Sequence, residues 1–254
     1  MQSRCQNNPY VRRIFARARV MVAHSIQNNR ASRHLIKKSI ELDPGFSDAH
    51  AGFAMSHLYG WVYEGEPEEP ASSIAMESAQ KAVALDPQNA GAHAILGDVH
   101  IFKGNLQEGA AELSLALKIN PNHADALVYM GELKMYLGNS QAAVDITRKA
   151  FQLNPHPPSW YYWYLGFVEY GAEQYETAIA TLMNRSTYGT GSNRLLAASL
   201  AQLGRIEEAK REAQVFLTLY PHFSSLEWAS RQPFKRDSDR QRFLEGYRKA
   251  GLPD

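Results

Sequence analysis

Cysteine is almost absent from this chain of 254 residues, which contains Cys5 and no second thiol. An internal disulfide framework is therefore excluded, and this composition is typical of a reducing compartment. No stretch approaches the roughly 20 apolar residues that a membrane-spanning helix needs. The opening residues MQSRCQNN also lack the apolar centre of a signal peptide. We therefore expect a cytoplasmic protein that does not insert into a membrane.

Acidic residues are missing from the first 40 positions, which carry nine Arg or Lys. Residues 41 to 230 reverse this balance with 22 acidic against 11 basic residues, and residues 231 to 254 are basic again. The net charge of +1 therefore conceals a strong segregation of charge along the chain. We hypothesise that the basic first helix of one copy docks on the acidic face of another, which would make a homo-oligomer.

Nucleic-acid binding requires cations that cluster against phosphates. The arginines of the first helix are instead spread around it, and no helix suited to reading a groove follows. The residues concerned are Arg12, Arg13, Arg17 and Arg19. A solvated face, or contact with an acidic neighbour, is the favoured interpretation over nucleic acid.

Motifs for catalysis and metal binding are missing as well. The chain has no nucleophile elbow, dinucleotide fingerprint, HExxH, paired CxxC or acidic calcium loop. Its glycine-rich stretch GTGSNR (189–194) joins two expected helices and lacks the Lys-Ser/Thr of a phosphate loop. We expect no enzymatic activity, no cofactor and no metal.

Two histidine pairs invite a metal hypothesis, His50 with His57 and His93 with His100. A spacing of seven residues on a helix separates the members of a pair by about 10 Å along the axis, too far for direct chelation of one ion. Their positions in the repeat described next are usually occupied by packing aromatic residues. We expect core histidines.

A unit of 34 residues is written twice in succession between Ala90 and Pro155. Setting Pro121 over Pro155 aligns the copies without a gap, and the endings LALKINP and KAFQLNP coincide. A fixed period of this kind indicates a solenoid, in which each unit buries its face on its neighbours.

Helical periodicity and prolines divide the rest of the chain into helix pairs. Helices are expected from Pro9 to about Gln27 and from Ala31 to Leu42. The second stops because proline disfavours helical geometry in the residue before it. The same stop recurs before Pro87, Pro121, Pro155 and Pro221. The unit ending at Pro87 is nine residues longer than the others, and we assign the excess to a loop at 61–73 with exposed Trp61 and Tyr63.

The pattern predicts about six helix pairs. We expect a disordered tail at residues 1–9, a repeat array at 10–221 and C-terminal capping helices at 222–254. In the final helix, Phe243, Leu244 and Tyr247 are expected inward, with Arg240, Arg242 and Arg248 outward. The predicted fold class is an all-α superhelical solenoid.

The units resemble the tetratricopeptide repeat. Glycine recurs in the middle of the first helix of a unit, at Gly97, Gly131 and Gly166. Small residues recur where the two helices cross, at Gly109, Ala143, Ala178 and Ala209. These residues let paired helices approach closely while larger apolar side chains fill the space between them.

A narrower resemblance covers nearly the whole chain, through SIELDPGFSDAHAGFAMSHLYGW, NPHPPSWYYWYLGFVEY, RLLAASLAQLGRIEEA and FLEGYRKAGLPD. These stretches are similar to the C-terminal repeat region of bacterial class III adenylate/guanylate cyclases and of related winged-helix regulators. The resemblance implies a protein-contact role in bacterial signalling. It leaves two alternatives, a reduced stand-alone adaptor or the regulatory part of a cyclase whose catalytic domain lies outside this chain.

In this repeat family the ligand usually lies along the concave face lined by the first helix of each unit. The corresponding residues here form an aromatic and acidic lining, with one arginine. They are Asp48, Met55, Tyr59, Asp98, Phe102, Asp125, Glu132, Tyr136, Trp160, Trp163, Phe167, Tyr170 and Arg194. Such a groove suits a protein or peptide partner with apolar anchors and basic residues. About half of the rings in SWYYWYLGF (159–167) are expected in the core and half on the groove.

Overall fold

The computed structural model describes residues 9–21, 26–63, 66–184, 187–188 and 191–254. Within these ranges the regular structure is α-helical and no residue lies in a β-strand, so the predicted all-α class is confirmed. Apart from Pro9, the expected disordered tail lies outside the described residues, and so does Cys5.

The described part of the chain contains fourteen helices. They are α1 (Pro9–Met21), α2 (Ile26–Leu42), α3 (Ser47–Tyr63), α4 (Glu68–Leu85), α5 (Ala90–Phe102), α6 (Leu106–Ile119), α7 (Ala124–Tyr136), α8 (Ser140–Leu153), α9 (Ser159–Gly171), α10 (Tyr175–Leu182), α11 (Asn193–Gln202), α12 (Ile206–Leu219), α13 (Ser225–Arg231) and α14 (Asp237–Lys249). Helices α1 to α12 form six consecutive pairs, as predicted, and α13 and α14 follow them.

The first pair differs from the prediction in its bounds. Helix α1 ends at Met21, and residues 22–25, through which it was expected to continue, lie outside the described residues. Helix α2 begins at Ile26, five residues before the predicted start at Ala31. The polar pair Asn28 and Asn29 is therefore helical, and the Asn29 side chain donates a hydrogen bond to the Ser56 carbonyl of α3.

The chain divides into two compact units, Met1–Ala126 (unit 1) and Leu127–Asp254 (unit 2), with the boundary inside α7. In unit 1, Phe15, Ala18, Ile36 and Ala49 form a buried cluster that joins α1, α2 and α3. In unit 2, the large buried side chains are mainly aromatic, and many of them lie on α9.

The prolines end the second helices of the pairs at the predicted places. Helices α4, α6, α8 and α12 each end two residues before a proline. The intervening residue leaves the helical region in each case, with φ between −145° and −128° at Asp86, Asn120, Asn154 and Tyr220. This is the local consequence of the clash between a proline ring and the preceding backbone.

Small residues lie where paired helices cross. Gly97 of α5 faces Gly109 of α6, and a Cβ atom built on Gly109 would lie 3.0 Å from the Gly97 carbonyl oxygen. Ala143, Ala178 and Ala209 occupy the equivalent position in later pairs and are fully buried. Close helix approach therefore explains the small residues of the repeat.

Replacement of Gly131 by alanine is expected to lower the free energy of unfolding by about 1 to 2 kcal/mol. The new Cβ would overlap the Thr147 hydroxyl and lie 3.1 Å from the Ala143 carbonyl oxygen. This clash outweighs the roughly 1 kcal/mol that alanine gains over glycine in helix propensity. Urea denaturation followed by circular dichroism measures the loss. In a chain that already carries Thr147→Ala, the Gly131→Ala replacement should cost at most half as much free energy, because the hydroxyl that it would overlap is gone. An equal cost with and without Thr147→Ala would exclude the steric explanation.

The prediction of a loop at residues 61–73 was wrong in its bounds. Helix α3 continues to Tyr63 and α4 begins at Glu68, so most of the nine additional residues lengthen these two helices. Trp61 is buried and Tyr63 half-buried, because both lie on the extended helix and not in a loop.

A polar network holds the α3–α4 connection against α2. The Arg33 guanidinium donates hydrogen bonds to both Glu66 carboxylate oxygens, at 3.1 and 3.2 Å, and to the Ser56 carbonyl and hydroxyl. This network passes over Gly60, where a Cβ atom would overlap the Glu66 carboxylate. Glycine at this position therefore makes room for the ion pair.

Candidate functional site

The predicted lining residues of unit 1 differ widely in accessibility. Asp48 is exposed, and its carboxylate accepts a hydrogen bond of 2.6 Å from the Asn89 side chain. Met55 and Tyr59 are half-buried and pack against the Phe15 cluster. Asp125 is also half-buried. These four residues leave part of each side chain accessible to a partner.

Aromatic contacts cover the C-terminal ends of helices α3 and α5. Tyr59 contacts Tyr63 with ring centroids 5.2 Å apart, and Tyr63 contacts Phe102 at 5.9 Å. Phe102 itself is buried. This row of rings links α3 to α5 within unit 1.

Two of the predicted acidic residues are fully buried, Asp98 in unit 1 and Glu132 in unit 2. The Tyr136 hydroxyl lies 3.4 Å from the Glu132 carboxylate. Only Asp48 and Asp125 of the predicted acids are therefore accessible, and the lining is less acidic than its sequence suggests.

The aromatic run of α9 divides into an accessible and a covered part. Trp160 and Trp163 are half-buried, whereas Phe167 and Tyr170 are fully buried, as is Tyr136 of α7. Trp163 stacks on Phe167 with ring centroids 5.5 Å apart and an interplanar angle of 5°. The residues near the start of α9 thus leave their rings partly open to solvent.

The covered rings lie beneath the chain's own C-terminal segment, defined here as residues 225–254. Phe243 of α14 contacts Phe167 and Tyr170, with ring centroids 5.1 and 4.6 Å apart. Phe234 contacts Tyr136 at 5.0 Å. Helix α14 therefore packs against the first helices α9 and α11, on the side where a ligand was expected.

Hydrogen bonds fix this arrangement. The Lys235 backbone amide donates to the Tyr136 carbonyl at 2.9 Å, and the Tyr136 hydroxyl donates to the Gln232 side chain at 2.7 Å. The Tyr170 hydroxyl donates to the Arg242 carbonyl at 2.9 Å. Burial raises the pKa of Tyr170 far above its ordinary value, so this hydroxyl remains a donor.

Arg242 was expected to point outward, and that expectation was wrong. Its guanidinium is only partly exposed and forms ion pairs with Glu173 and Asp239, both at 3.0 Å. Glu173 has a φ of +61°, a conformation that Gly104, Gly138 and Gly204 adopt in the corresponding turns of other pairs. Glu173 thus occupies a turn position that is glycine in these other pairs, and its carboxylate forms an ion pair with Arg242 of α14.

Two of the four histidines in the predicted pairs, His50 and His93, lie close to backbone carbonyl groups. His57 and His93 are buried, as predicted, whereas His50 and His100 are half-buried. The rings of His50 and His93 each lie about 3 Å from the carbonyl oxygen of the proline six residues earlier, at 3.0 and 3.1 Å. Burial lowers the pKa of His57 from 6.5 to about 4, and the nearby Arg33 charge acts in the same direction. Among the described residues, no group of three or more His, Cys, Asp or Glu side chains could hold a metal ion.

Arg194 of α11 is buried beside Trp163, with the guanidinium carbon 5.8 Å from the ring centroid. Arg194 therefore adds nothing to the accessible part of the α9 face. Trp160 and Trp163 are thus the predicted residues of unit 2 that stay partly accessible, and Arg194 is buried beside Trp163.

Sequence reasoning did not place the C-terminal segment on this face. The contributing residues include Trp228, Gln232, Phe234, Phe243 and Tyr247. Two signals point to them in retrospect, the aromatic content of the segment and its basic charge opposite an acidic central region. Apolar anchors and basic residues are also the properties that the sequence analysis expects of a partner bound in the groove.

None of the helices in the described part of the chain is long and apolar enough to cross a membrane. No curated protein matches the sequence. Residues 90–123 match the tetratricopeptide repeat model.

Solved structures share the fold at low sequence identity. The APC/C hetero-tetramer Cut9-Hcn1 is 16% identical, with a TM-score of 0.62, over 89% of this chain and 40% of that one. The type IV pilus biogenesis factor PilW is 16% identical, with a TM-score of 0.56, over 81% of this chain and 89% of that one. Pseudomonas aeruginosa PilF is 18% identical, with a TM-score of 0.51, over 87% and 97%. The chain thus contains a tetratricopeptide repeat at residues 90–123, and its predicted class of all-α repeat fold is confirmed.

Proposed function

We propose that this protein is a non-enzymatic interaction module that binds a peptide or protein partner on the faces of its first helices. The single observation that carries the proposal is the docking of the C-terminal segment on α9 and α11. This face holds a helix through aromatic rings, backbone hydrogen bonds and an arginine ion pair. A partner with similar side chains would make similar contacts.

The part of this face that remains accessible lies at the start of α9. Trp160 stacks on Tyr129 with ring centroids 5.8 Å apart and also contacts Tyr161 and Tyr164, so the indole is held in place while it stays half-buried. Rigid, partly exposed tryptophans often contribute most to binding, because they bury a large area at a small loss of conformational entropy. We infer that Trp160 and Trp163 are the anchor points for the partner.

Unit 1 offers a second accessible set in Asp48, Met55, Tyr59 and Asp125. The acidic members favour a partner that carries basic residues beside its apolar anchors. The bacterial signalling role and the cyclase-associated alternative rest on sequence resemblance and stay predictions, as does the homo-oligomer.

Panning of a displayed random 12-residue peptide library against the intact protein tests this proposal. We expect enrichment of peptides with aromatic and basic residues. Their affinity should fall at least tenfold for Trp160→Ala and for Trp163→Ala, a loss typical of tryptophan anchors. Isothermal titration calorimetry measures the affinities, and circular dichroism checks that each variant is folded.

Tyr162→Ala is the matched control, since Tyr162 is a half-buried aromatic residue of the same helix whose ring contacts Phe151 of α8. This variant should bind the selected peptides as the wild type does. The proposal fails if no peptide is enriched, or if the tryptophan variants bind as tightly as Tyr162→Ala.

A further inference from the structure

Cations dominate the first helix pair of unit 1. Helices α1 and α2 contain one acidic residue, Glu41. Their exposed cations are Arg12, Arg13, Arg17, Arg30, Lys37 and Lys38. Within the described part of the chain, Arg13, Arg17 and Lys38 take part in no ion pair. These three charges are therefore balanced by solvent and dissolved ions.

Helix α3 covers one side of this pair. Phe15 of α1 and Ile36 of α2 pack with Ala49 of α3 in the buried cluster. The Arg33 guanidinium of α2 faces the same way and donates a hydrogen bond to the Ser56 carbonyl of α3, at 2.9 Å. The opposite side of the pair is therefore the side on which an external partner can bind.

The exposed side of the pair can be traced through helical spacing, because residues three or four positions apart share one face of a helix. Two such sets lie opposite α3, and we call them together the outer face: Tyr10, Arg13 and Arg17 on α1, and His34, Lys38 and Leu42 on α2. All six residues are exposed, Tyr10 by 52% and Leu42 by 47%. The outer face therefore combines cations with two apolar side chains and holds no carboxylate.

We propose that the outer face binds the surface of an anionic lipid bilayer. Negatively charged headgroups attract clustered Lys and Arg side chains near a membrane. Tyrosine favours the boundary between the headgroups and the acyl chains, and a leucine that reaches this depth leaves water. The contact is peripheral, with both helices lying along the bilayer surface. It goes beyond the proposed peptide-binding function, since it uses none of the residues assigned to that function.

The arrangement of the side chains favours a bilayer over a nucleic acid. Arg13 and Arg17 are about 6 Å apart along α1, and Lys38 lies on a second helix about 8 to 10 Å away. Lipid phosphates spread over a plane and can meet both helices at once, whereas the phosphates of a nucleic acid strand follow a line. A nucleic acid also offers no apolar phase to Leu42. An acidic protein would need carboxylates at matching positions, whereas mobile lipids adapt to long, flexible side chains.

Sedimentation of the full chain with lipid vesicles tests the proposal. Vesicles of phosphatidylglycerol and phosphatidylcholine in equal amounts should carry the protein into the pellet at low salt. Vesicles of phosphatidylcholine alone should not, because they carry no net charge. Sodium chloride at about 1 M should release the protein, since the Debye length then falls to about 3 Å.

Removal of charge from the outer face is the decisive change. Each Arg or Lys near an anionic surface strengthens binding about fivefold, so the triple variant Arg13→Gln, Arg17→Gln, Lys38→Gln should lower the molar partition coefficient about a hundredfold. All three side chains are exposed, so the variant should stay folded, which circular dichroism checks.

The matched control removes three exposed cations elsewhere, with the same change in net charge. It is the triple variant Lys149→Gln, Lys210→Gln, Arg211→Gln, whose residues lie on α8 and α12. This control should bind the vesicles as the wild type does. Equal partition coefficients for the two triple variants would overturn the proposal, as would a lack of binding to the anionic vesicles.

Leu42→Ser separates a bilayer from other polyanions, because it keeps every charge. It should lower the partition coefficient about fivefold, since less apolar area leaves water. An unchanged coefficient would overturn the bilayer contact, and so would binding of fluorescent polyuridylate RNA without binding of vesicles. Trp160→Ala should bind vesicles as the wild type does, so vesicle sedimentation and peptide panning test the two proposals separately.

Discussion

Replacing Phe243 by alanine is expected to lower the free energy of unfolding of unit 2 by about 3 to 5 kcal/mol. Phe243 is fully buried, and its ring contacts Phe167, Tyr170, Trp228 and Phe234. Removing the ring leaves a cavity between rigid aromatic neighbours that cannot close around it. Chemical denaturation followed by the near-ultraviolet circular dichroism of the aromatic residues measures the loss.

Leu226→Ala provides the comparison, because Leu226 belongs to the same C-terminal segment but is 48% exposed. This variant should change the free energy of unfolding by less than about 1 kcal/mol. Similar small losses for both variants would mean that the C-terminal segment does not pack on α9 in solution. A large loss for Phe243→Ala alone would establish the segment as part of the fold and not a removable cover.

The pH dependence of stability is expected to show the second large effect, through His57. Its pKa is about 4 in the folded chain, against an ordinary value of 6.5. The unfolded chain therefore binds a proton more readily between these values, so the free energy of unfolding falls as the pH falls from about 6.5 to about 4. The contribution reaches at most about 3 kcal/mol. Urea denaturation at intervals of half a pH unit measures it.

His57→Gln removes the titrating group and should flatten the curve in this window relative to the wild type. His222→Gln, at an exposed histidine before α13, should keep the wild-type slope. The ring of His57 packs against Phe53 with centroids 4.6 Å apart, so His57→Gln should also lose some stability at pH 7. Parallel curves for the wild type and His57→Gln would contradict a buried, neutral His57.

Much of the fold follows from interactions that are local in sequence. Each proline fixes the conformation of the residue before it, so the ends of α4, α6, α8 and α12 could be predicted from residue type alone. Likewise, the small residues Gly131 and Ala143 indicate where the two helices of one pair cross. The extension of α3 to Tyr63 was missed because Gly65, Pro67 and Pro70 indicate a turn without fixing where it begins.

The candidate site could be predicted less well, since it depends on contacts between distant residues. The repeat period assigns Asp98 and Glu132 to first helices, but a small rotation of a helix decides whether a side chain faces solvent or the neighbouring helix. Both are fully buried. The burial of Phe167 and Tyr170 beneath α14 could not be predicted, because no local sequence pattern indicates where a C-terminal helix will dock.

The docking of the C-terminal segment on α9 and α11 also affects when unit 2 can fold during synthesis. In a simple repeat array each repeat contacts only its neighbours, so it can fold as it leaves the ribosome. Here Tyr136 bonds to Gln232 across 96 positions, and Tyr170 bonds to Arg242 across 72. Such distant contacts slow folding, because a long loop must close before they form. Helices α9 and α11 therefore reach their final burial only after synthesis has passed α14, and until then the aromatic rings of α9 are open to chaperones.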